Sequence, residues 1–372
     1  QQIFYDSVKR FAVNELADGA VDRANSDGYL WDIAARFAEM GLLGITIPES
    51  KGGIGGSLTD AVLAIQAIAE VCPRSADVVQ AGNFGAIRTF AEYANADQLA
   101  RILPDLLAGK GVMSVGMSEP DAGSSVTELK TSATPDGDDF LVNGSKVFGT
   151  NSGDAEVFLI YLRFGPGTEG IGSALIEKGT AGFEIGPGYR YMNGESWPPL
   201  YFDKCRIPKA NILLGSGGFK KQISGFNIER LGNAARAVAV GRKAFNEARD
   251  HAKTRRQFGR DICEFQGLQW KFAEMQMRLE AAQLLLMRAV TRADNDLPSA
   301  QDSALAKLAC NDAGFYAANE ALQIMGALGF SDDNIVQYCM RRTRGWMIAG
   351  GSTEILKNRI AEGIFERRFS QR

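Results

Sequence analysis

The spacing of apolar residues changes character twice along this chain, near residues 112 and 216, and that alternation limits the folds open to it more than any other feature. From Gln2 to Leu16, Ile3, Phe4, Val8, Phe11, Ala12 and Leu16 recur at helical spacing on one face, and Trp31 to Met40 repeats the pattern. After the glycine loop Pro48 to Ser57 (PESKGGIGGS), Ser57 or Thr59 starts a helix that reaches Val71 and stops before Cys72-Pro73. Further helices are expected from Ser75 towards Tyr93 and across Ala96 to Leu107. From Val112 the apolar runs become short and β-branched, at 112–117, 140–143, 157–162, 173–176 and 200–207, with Pro135-Asp136-Gly137-Asp138 as a hairpin turn. Gly215-Ser216-Gly217-Gly218 closes this region, after which Ala/Leu/Met-rich segments at 266–292 and 299–325 have the length of bundle helices. The pattern predicts an α+β chain of two or three domains.

Composition narrows the function. A chain of 372 residues exceeds what one core usually serves and is large enough to enclose a cofactor. Lys plus Arg 41 against Asp plus Glu 44 gives a net charge of −3, which argues against nucleic acid or an anionic membrane as main partner while leaving room for a local basic patch. Cys72, Cys205, Cys263, Cys310 and Cys339 lie far apart with no CxxC spacing, so they read as buried thiols in a reducing compartment. A single histidine, His251, cannot build a His cluster and is expected as an ordinary helix residue, so no metal is expected. The apolar stretch 281–290 is interrupted by Gln283 and Arg288, so no membrane span is expected. No signal-peptide pattern is read, and a chain opening on Gln1 rather than Met is expected to lack a short native N-terminus.

The stretch Val112 to Ser125 (VMSVGMSEPDAGSS) is an apolar strand that breaks into a loop suited to close backbone approach. Gly116, Ala122 and Gly123 keep side chains clear, and Ser118 and Ser124 offer hydroxyls and backbone N–H groups, as a planar, anion-carrying cofactor would require. An ordinary turn has the same composition.

Gly116 to Ser124 (GMSEPDAGS) resembles the flavin-binding signature of the acyl-CoA dehydrogenases. Lys146 to Asn151 (KVFGTN), Arg255 to Gly259 (RRQFG), Phe265-Gln266, Gln323 to Gly326 (QIMG) and Gly350 to Glu354 (GGSTE) are similar to further patterns of that family at matching distances. Together they cover nearly the whole chain. The resemblance implies an N-terminal helical domain (1–111), a small β-barrel-like domain carrying the flavin loop (112–216) and a C-terminal four-helix bundle (217–372). It implies FAD-dependent α,β-dehydrogenation of an acyl-CoA thioester to the trans-2-enoyl-CoA, with electrons passed to an electron-transfer flavoprotein. A homotetramer (dimer of dimers) or heterotetramer is implied too, in the bacterial cytoplasm or, less expectedly, the mitochondrial matrix. The alternatives are an oxidase, hydroxylase or desulfinase on the same fold, or a non-catalytic partner subunit of a heteromeric dehydrogenase.

Residue by residue, the resemblance places FAD against Val115, Met117, Ser118, Gly123 and Ser124, with Phe148, Gly149 and Thr150 behind the ring. Arg255, Gln257, Phe258, Gln266, Gln323 and Gly326 are expected to reach the cofactor from a neighbouring subunit, and Ser352 and Glu354 to lie beside it. Two departures stand out: Phe148 replaces a tryptophan, and Ser125 replaces an aspartate that would brace the loop. Many family members carry the catalytic base as the glutamate of a Tyr-Glu-Gly-Thr segment, where this chain has Ala349-Gly350-Gly351-Ser352. A branch that includes isovaleryl-CoA dehydrogenase carries it in an Asp-Leu-Glu-Arg-Leu segment, matched here by Asn227-Ile228-Glu229-Arg230-Leu231. Glu229 is therefore the expected base, and the backbone N–H of Gly350 the expected donor to the thioester oxygen. Ser124 and Arg230 are expected at the substrate. Arg74, in Arg74 to Gln80 (RSADVVQ), resembles the arginine with which glutaryl-CoA dehydrogenase holds a distal carboxylate, a reading that competes with a solvated arginine before a helix.

Overall fold

The computed structural model describes residues 1–293 and 297–369. These divide into two compact units, each assembled from separated stretches of chain.

The first unit comprises Gln1–Ser26, Ser57–Gln80 and Asn227–Arg372 and is helical. The Gln2–Leu16 helix buries Val8, Ala12 and Leu16, the face its spacing predicts. Leu58–Ala69 begins where Ser57 and Asp60 form a reciprocal capping box, which satisfies two otherwise orphaned backbone N–H groups. Residues 227–254 of the Phe219–Thr254 helix belong to this unit, and Gln266–Ala293, Ala300–Met325, Ile335–Trp346 and Thr353–Ile364 follow. Glycines set one helix crossing, because a Cβ on Gly314 would lie 2.2 Å from the Ala237 carbonyl oxygen. Among the described residues no helix is long and apolar enough to cross a membrane.

The second unit, Asp27–Gly56 and Ala81–Phe226, is built on a mixed sheet. Its strands are β1 (Met113–Gly116), β2 (Ser132–Asp136), β3 (Asp139–Lys146), β4 (Val157–Arg163), β5 (Ile171–Glu177), β6 (Phe183–Ile185), β7 (Leu200–Pro208) and β8 (Ile212–Leu214). They run in the order β6-β7-β3-β2-β4-β5-β8, with β1 parallel to β4. The predicted hairpin joins β2 to β3 through Gly137 at φ 65°, a left-handed backbone that glycine adopts without strain. Strands β4 and β5 are buried along nearly their whole length, which explains their continuous apolar runs. Val142, Phe158, Ile160 and Ile176 fill one face, while Leu159 and Leu175 pack with the Gly85–Tyr93 and Ala96–Leu107 helices on the other.

Two expectations are corrected. The helix expected from Ser75 to Tyr93 is two helices, Ala76–Asn83 and Gly85–Tyr93, broken at an extended Phe84 and a left-handed Gly85. There the Asn83 amide accepts from the Ile45 N–H at 2.6 Å and donates to the Leu42 carbonyl at 2.7 Å. Strands β2, β6 and β8 escaped the sequence reading because one contains Pro135 and the other two span three residues each.

Candidate active site

Glu229 lies on the Phe219–Thr254 helix in the first unit, half-buried. Gln80 donates Nε2–H to Glu229 Oε2 at 2.6 Å. That approach requires glycine at 232, where a Cβ would fall 2.2 Å from Gln80 Oε1. Arg236 stands two helical turns beyond Glu229 on the same face, its Nη2 3.8 Å from Glu229 Oε1. Burial pushes the Glu229 carboxyl above its ordinary range, and Asp77 adds to this, while Arg236, Gln80 and Lys307 pull the other way without prevailing.

Asp77 gathers the cations. It accepts from Arg236 Nη1 at 2.7 Å, Arg342 Nη2 at 2.7 Å and Arg74 Nη1 at 3.3 Å. Burial alone would raise its pKa, but the guanidiniums of Arg342, Arg236 and Arg74 prevail and hold it at about 2. Arg236 and Arg342 also lie over the Trp346 ring, 5.0 and 5.1 Å from its centroid.

Gly350 and Gly351 form the turn after Ile335–Trp346, at φ 71° and 99°. Arg230 donates from Nε to the Gly350 carbonyl at 3.2 Å and from Nη1 to Asn227 Oδ1 at 2.7 Å. Lys307 Nζ donates to the carbonyls of Trp346 at 3.0 Å and Gly351 at 3.1 Å. The Gly350 N–H makes no hydrogen bond among the described residues. Ser352 caps the next helix, and Glu354 is exposed.

The other first-unit residues lie at its surface. Gln257 pairs with Arg260 in a short hairpin whose tip, Phe258, is 93 % exposed at φ 50°. Arg255 precedes this hairpin, Gln266 opens the next helix, and Gln323 and Gly326 close Ala300–Met325, all four exposed.

In the second unit, β1 delivers the predicted loop. Gly116 lets it pack on β4, since a Cβ there would sit 2.5 Å from Ile160 Cδ1. Glu119 and Ala122 exchange backbone hydrogen bonds of 3.1 Å. The Glu119 carboxylate accepts from the N–H groups of Lys130 at 2.6 Å and Thr131 at 2.9 Å and from Lys146 Nζ at 2.8 Å. Burial would raise Glu119, yet these bonds hold it below its ordinary range, and burial draws Lys146 down to about 8 against the pull of Glu119. Glu119 thus ties the loop to the residues that lead into β2 and close β3. Val147 N–H donates to the Ser118 carbonyl at 2.9 Å and Ser114 Oγ to the Thr150 carbonyl at 2.8 Å, which seats Lys146–Asn151 beside the loop. Gly149 packs tightly there, its Cβ position 3.2 Å from the Val115 carbonyl oxygen. Phe148 is left-handed at φ 61°, 57 % exposed and edge-on to Tyr191. The N–H groups of Ser118, Gly123 and Ser124 make no hydrogen bond among the described residues. Unbonded donors on a pinned loop beside an exposed aromatic fit a flavin.

The acyl-CoA dehydrogenase N-terminal, middle and C-terminal domain models match residues 1–110, 114–205 and 216–365. The chain belongs to the acyl-CoA dehydrogenase family. It is 31% identical to a 3-sulfinopropanoyl-CoA desulfinase of Advenella mimigardefordensis, covering 100% of this chain and 95% of that protein. It is 30% identical to a short-chain-specific acyl-CoA dehydrogenase of Clostridium acetobutylicum, with 98% of each covered. Butyryl-CoA dehydrogenase from Megasphaera elsdenii superposes with a TM-score of 0.91 at 28% identity over 98% of each chain. Like its family, the chain is an FAD-dependent oxidoreductase.

Sequence reasoning missed the surroundings of Glu229. Asp77 and Gln80 lie in the quoted Arg74 to Gln80 segment, and the seven-residue step from Glu229 to Arg236 was a readable signal. Nothing local marked Lys307 or Arg342.

Proposed function

We propose that the chain dehydrogenates an acyl-CoA thioester with Glu229 as α-proton base and passes the electrons to an electron-transfer flavoprotein. The observation carrying this reading is a half-buried carboxylate of raised pKa, held by Gln80, in a chain with glycine at the other family position for the base. FAD, when bound, would supply the hydride acceptor for the β-hydrogen. Glu229 takes the α-proton, and the unbonded Gly350 N–H stabilises the enolate charge on the thioester oxygen. Ser118, Gly123, Ser124 and Phe148 would hold the flavin. Retention of Glu229 favours dehydrogenation over base-less desulfination.

Glu229→Gln keeps shape and polarity, so FAD content persists while single-turnover flavin reduction falls by roughly 10²–10⁴-fold. A Gln variant reducing its flavin within about threefold of the parent rate would exclude Glu229 as base. Rapid oxygen uptake without the flavoprotein acceptor would mark an oxidase.

One observation favours an acyl group ending in an anion. Arg74 is 8 % exposed and donates to Asp77, so it is not the solvated arginine that its place before a helix allowed, and its resemblance to the arginine of glutaryl-CoA dehydrogenase then implies an acyl group ending in a carboxylate. Arg74→Ala should then weaken use of glutaryl-CoA much more than of butyryl-CoA, by about 2–5 kcal/mol for a desolvated pair. Equal small effects on both would remove Arg74 from the substrate site.

We further propose a tetramer, homomeric in the simplest case and acting in the cytoplasm, in which Arg255, Gln257, Phe258, Gln266, Gln323 and Gly326 reach the FAD of another copy. Residues 1–111, 112–216 and 217–372 remain our proposed division of the chain into segments.

A further inference from the structure

Lys307 is 1 % exposed on the Ala300–Met325 helix. Among the described residues no carboxylate lies within ion-pair distance of it, and both its hydrogen bonds go to neutral carbonyls. Burying an ammonium against carbonyls alone is costly, and an apolar side chain of similar length would fill the space more cheaply. Its partners indicate a use. Trp346 is the last residue of its helix, so a cation beside its carbonyl lies at the negative end of the helix dipole. Gly351 belongs to the turn that carries the Gly350 N–H. Arg230 holds the Gly350 carbonyl, so the two carbonyls that follow this N–H are both held by cations. The Lys307 stem also occupies the ground beside residue 350, its Cε 3.3 Å from where a Gly350 Cβ would stand.

We propose that Lys307 is a positioning residue for proton abstraction, a proposal that rests on Glu229 being the base: its two hydrogen bonds fix the turn that presents the Gly350 N–H, and they set its charge on the turn that Arg230, the residue after Glu229, also holds. The charged and polar groups facing Glu229 are Arg236, Gln80, Lys307 and Asp77, of which Asp77 alone favours the protonated form. Those acting on Lys307 are Arg230 and Arg236, which repel its charge, and Glu229, which attracts it. Burial comes before either arginine and draws Lys307 down to about 7. Near neutral pH it can therefore lose its charge while the amine still donates two hydrogen bonds, which separates the two effects.

The test uses FAD-loaded protein and two readouts. The first is infrared titration of the carboxyl band that Glu229→Gln removes, which needs no substrate. The second is single-turnover flavin reduction by whichever acyl-CoA, from butyryl-CoA to glutaryl-CoA, reduces the parent fastest. Lys307→Met removes charge and donors, so the carboxyl midpoint moves to higher pH, by about half a unit or more. Reduction slows by about 10- to 100-fold, less than deleting an oxyanion donor outright. Lys307→Gln keeps a donor without the charge, so it recovers part of the rate and keeps the shifted midpoint. A merely structural lysine would lower thermal stability and leave the midpoint in place. An unmoved midpoint in either variant, or Lys307→Met reduction within about threefold of the parent, overturns the proposal. If Lys307→Met does not retain FAD, Lys307→Gln decides by the same midpoint. An unimpaired Glu229→Gln would show instead that the base assignment itself had failed.

Discussion

Asp77 and Glu229 share one cluster of cations and titrate in opposite directions. Asp77 is held at about 2 against an ordinary 3.8. A depressed carboxyl adds stability that is present above its unfolded value and is lost as pH falls through its folded one. Acid unfolding should therefore draw on Asp77 between pH 3.8 and about 2. Asp77→Asn leaves Arg74, Arg236 and Arg342 around a neutral amide and should cost about 3–5 kcal/mol in urea unfolding. The parent's acid sensitivity in that pH range should shrink with it. A loss below about 1 kcal/mol would show that the arginines find other partners or water. Glu229 has the opposite sign: its folded pKa is raised, so the ionised form opposes folding and stability falls as pH climbs through that raised value. Glu229→Gln should thus be at least as stable as the parent at neutral pH while losing turnover, the separation expected where function is bought with strain.

At the scale of elements, the loop proposed to hold the flavin has a carboxylate anchor of its own. Ser125 lacks the carboxylate expected to brace the loop, but Glu119 already ties the loop to Lys130, Thr131 and Lys146. Ser125→Asp should consequently change FAD affinity by less than about twofold, whereas Glu119→Gln should release FAD readily and lower thermal stability, since it leaves the buried Lys146 without its carboxylate. Fluorescence of released FAD reads both, and tighter binding by Ser125→Asp alone would restore Ser125 as the weak point. The loop itself was legible because strand, glycines and serines are contiguous, and the Gln2–Leu16 and Ala96–Leu107 helices were legible from local spacing. The Glu229 surroundings were not. Asp77 meets Arg342 across 265 positions, and Lys307 meets Gly351 across 44, and no local pattern encodes either contact. Phe84 hid its helix break for a related reason: the Asn83 amide makes its bonds to Leu42 and Ile45, far outside any local window.

At the scale of the molecule, the first unit leaves an apolar stripe open. On the Gln266–Ala293 helix, Trp270, Met277 and Leu284 recur every seven residues and are 65%, 58% and 71% exposed. Residues seven apart stand on one side of a helix, the spacing with which helices pair. Exposed side chains of this size in line are costly in water, and they are the surface we propose for assembly. The same helix opens with Gln266, next to the hairpin that carries Phe258, so the surface that would bind a second copy is continuous with the residues proposed to reach that copy's FAD. Assembly and cofactor retention should then be lost together. Met277→Glu with Leu284→Glu should lower the mass measured by sedimentation and release FAD, while the helical content of the subunit is kept. Dilution of the parent should release FAD with the same concentration dependence as its dissociation. An unchanged mass would remove the stripe from the interface. A verified monomer that keeps one FAD per chain with unchanged affinity would show that Arg255, Phe258, Gln266 and Gln323 serve no cofactor but their own.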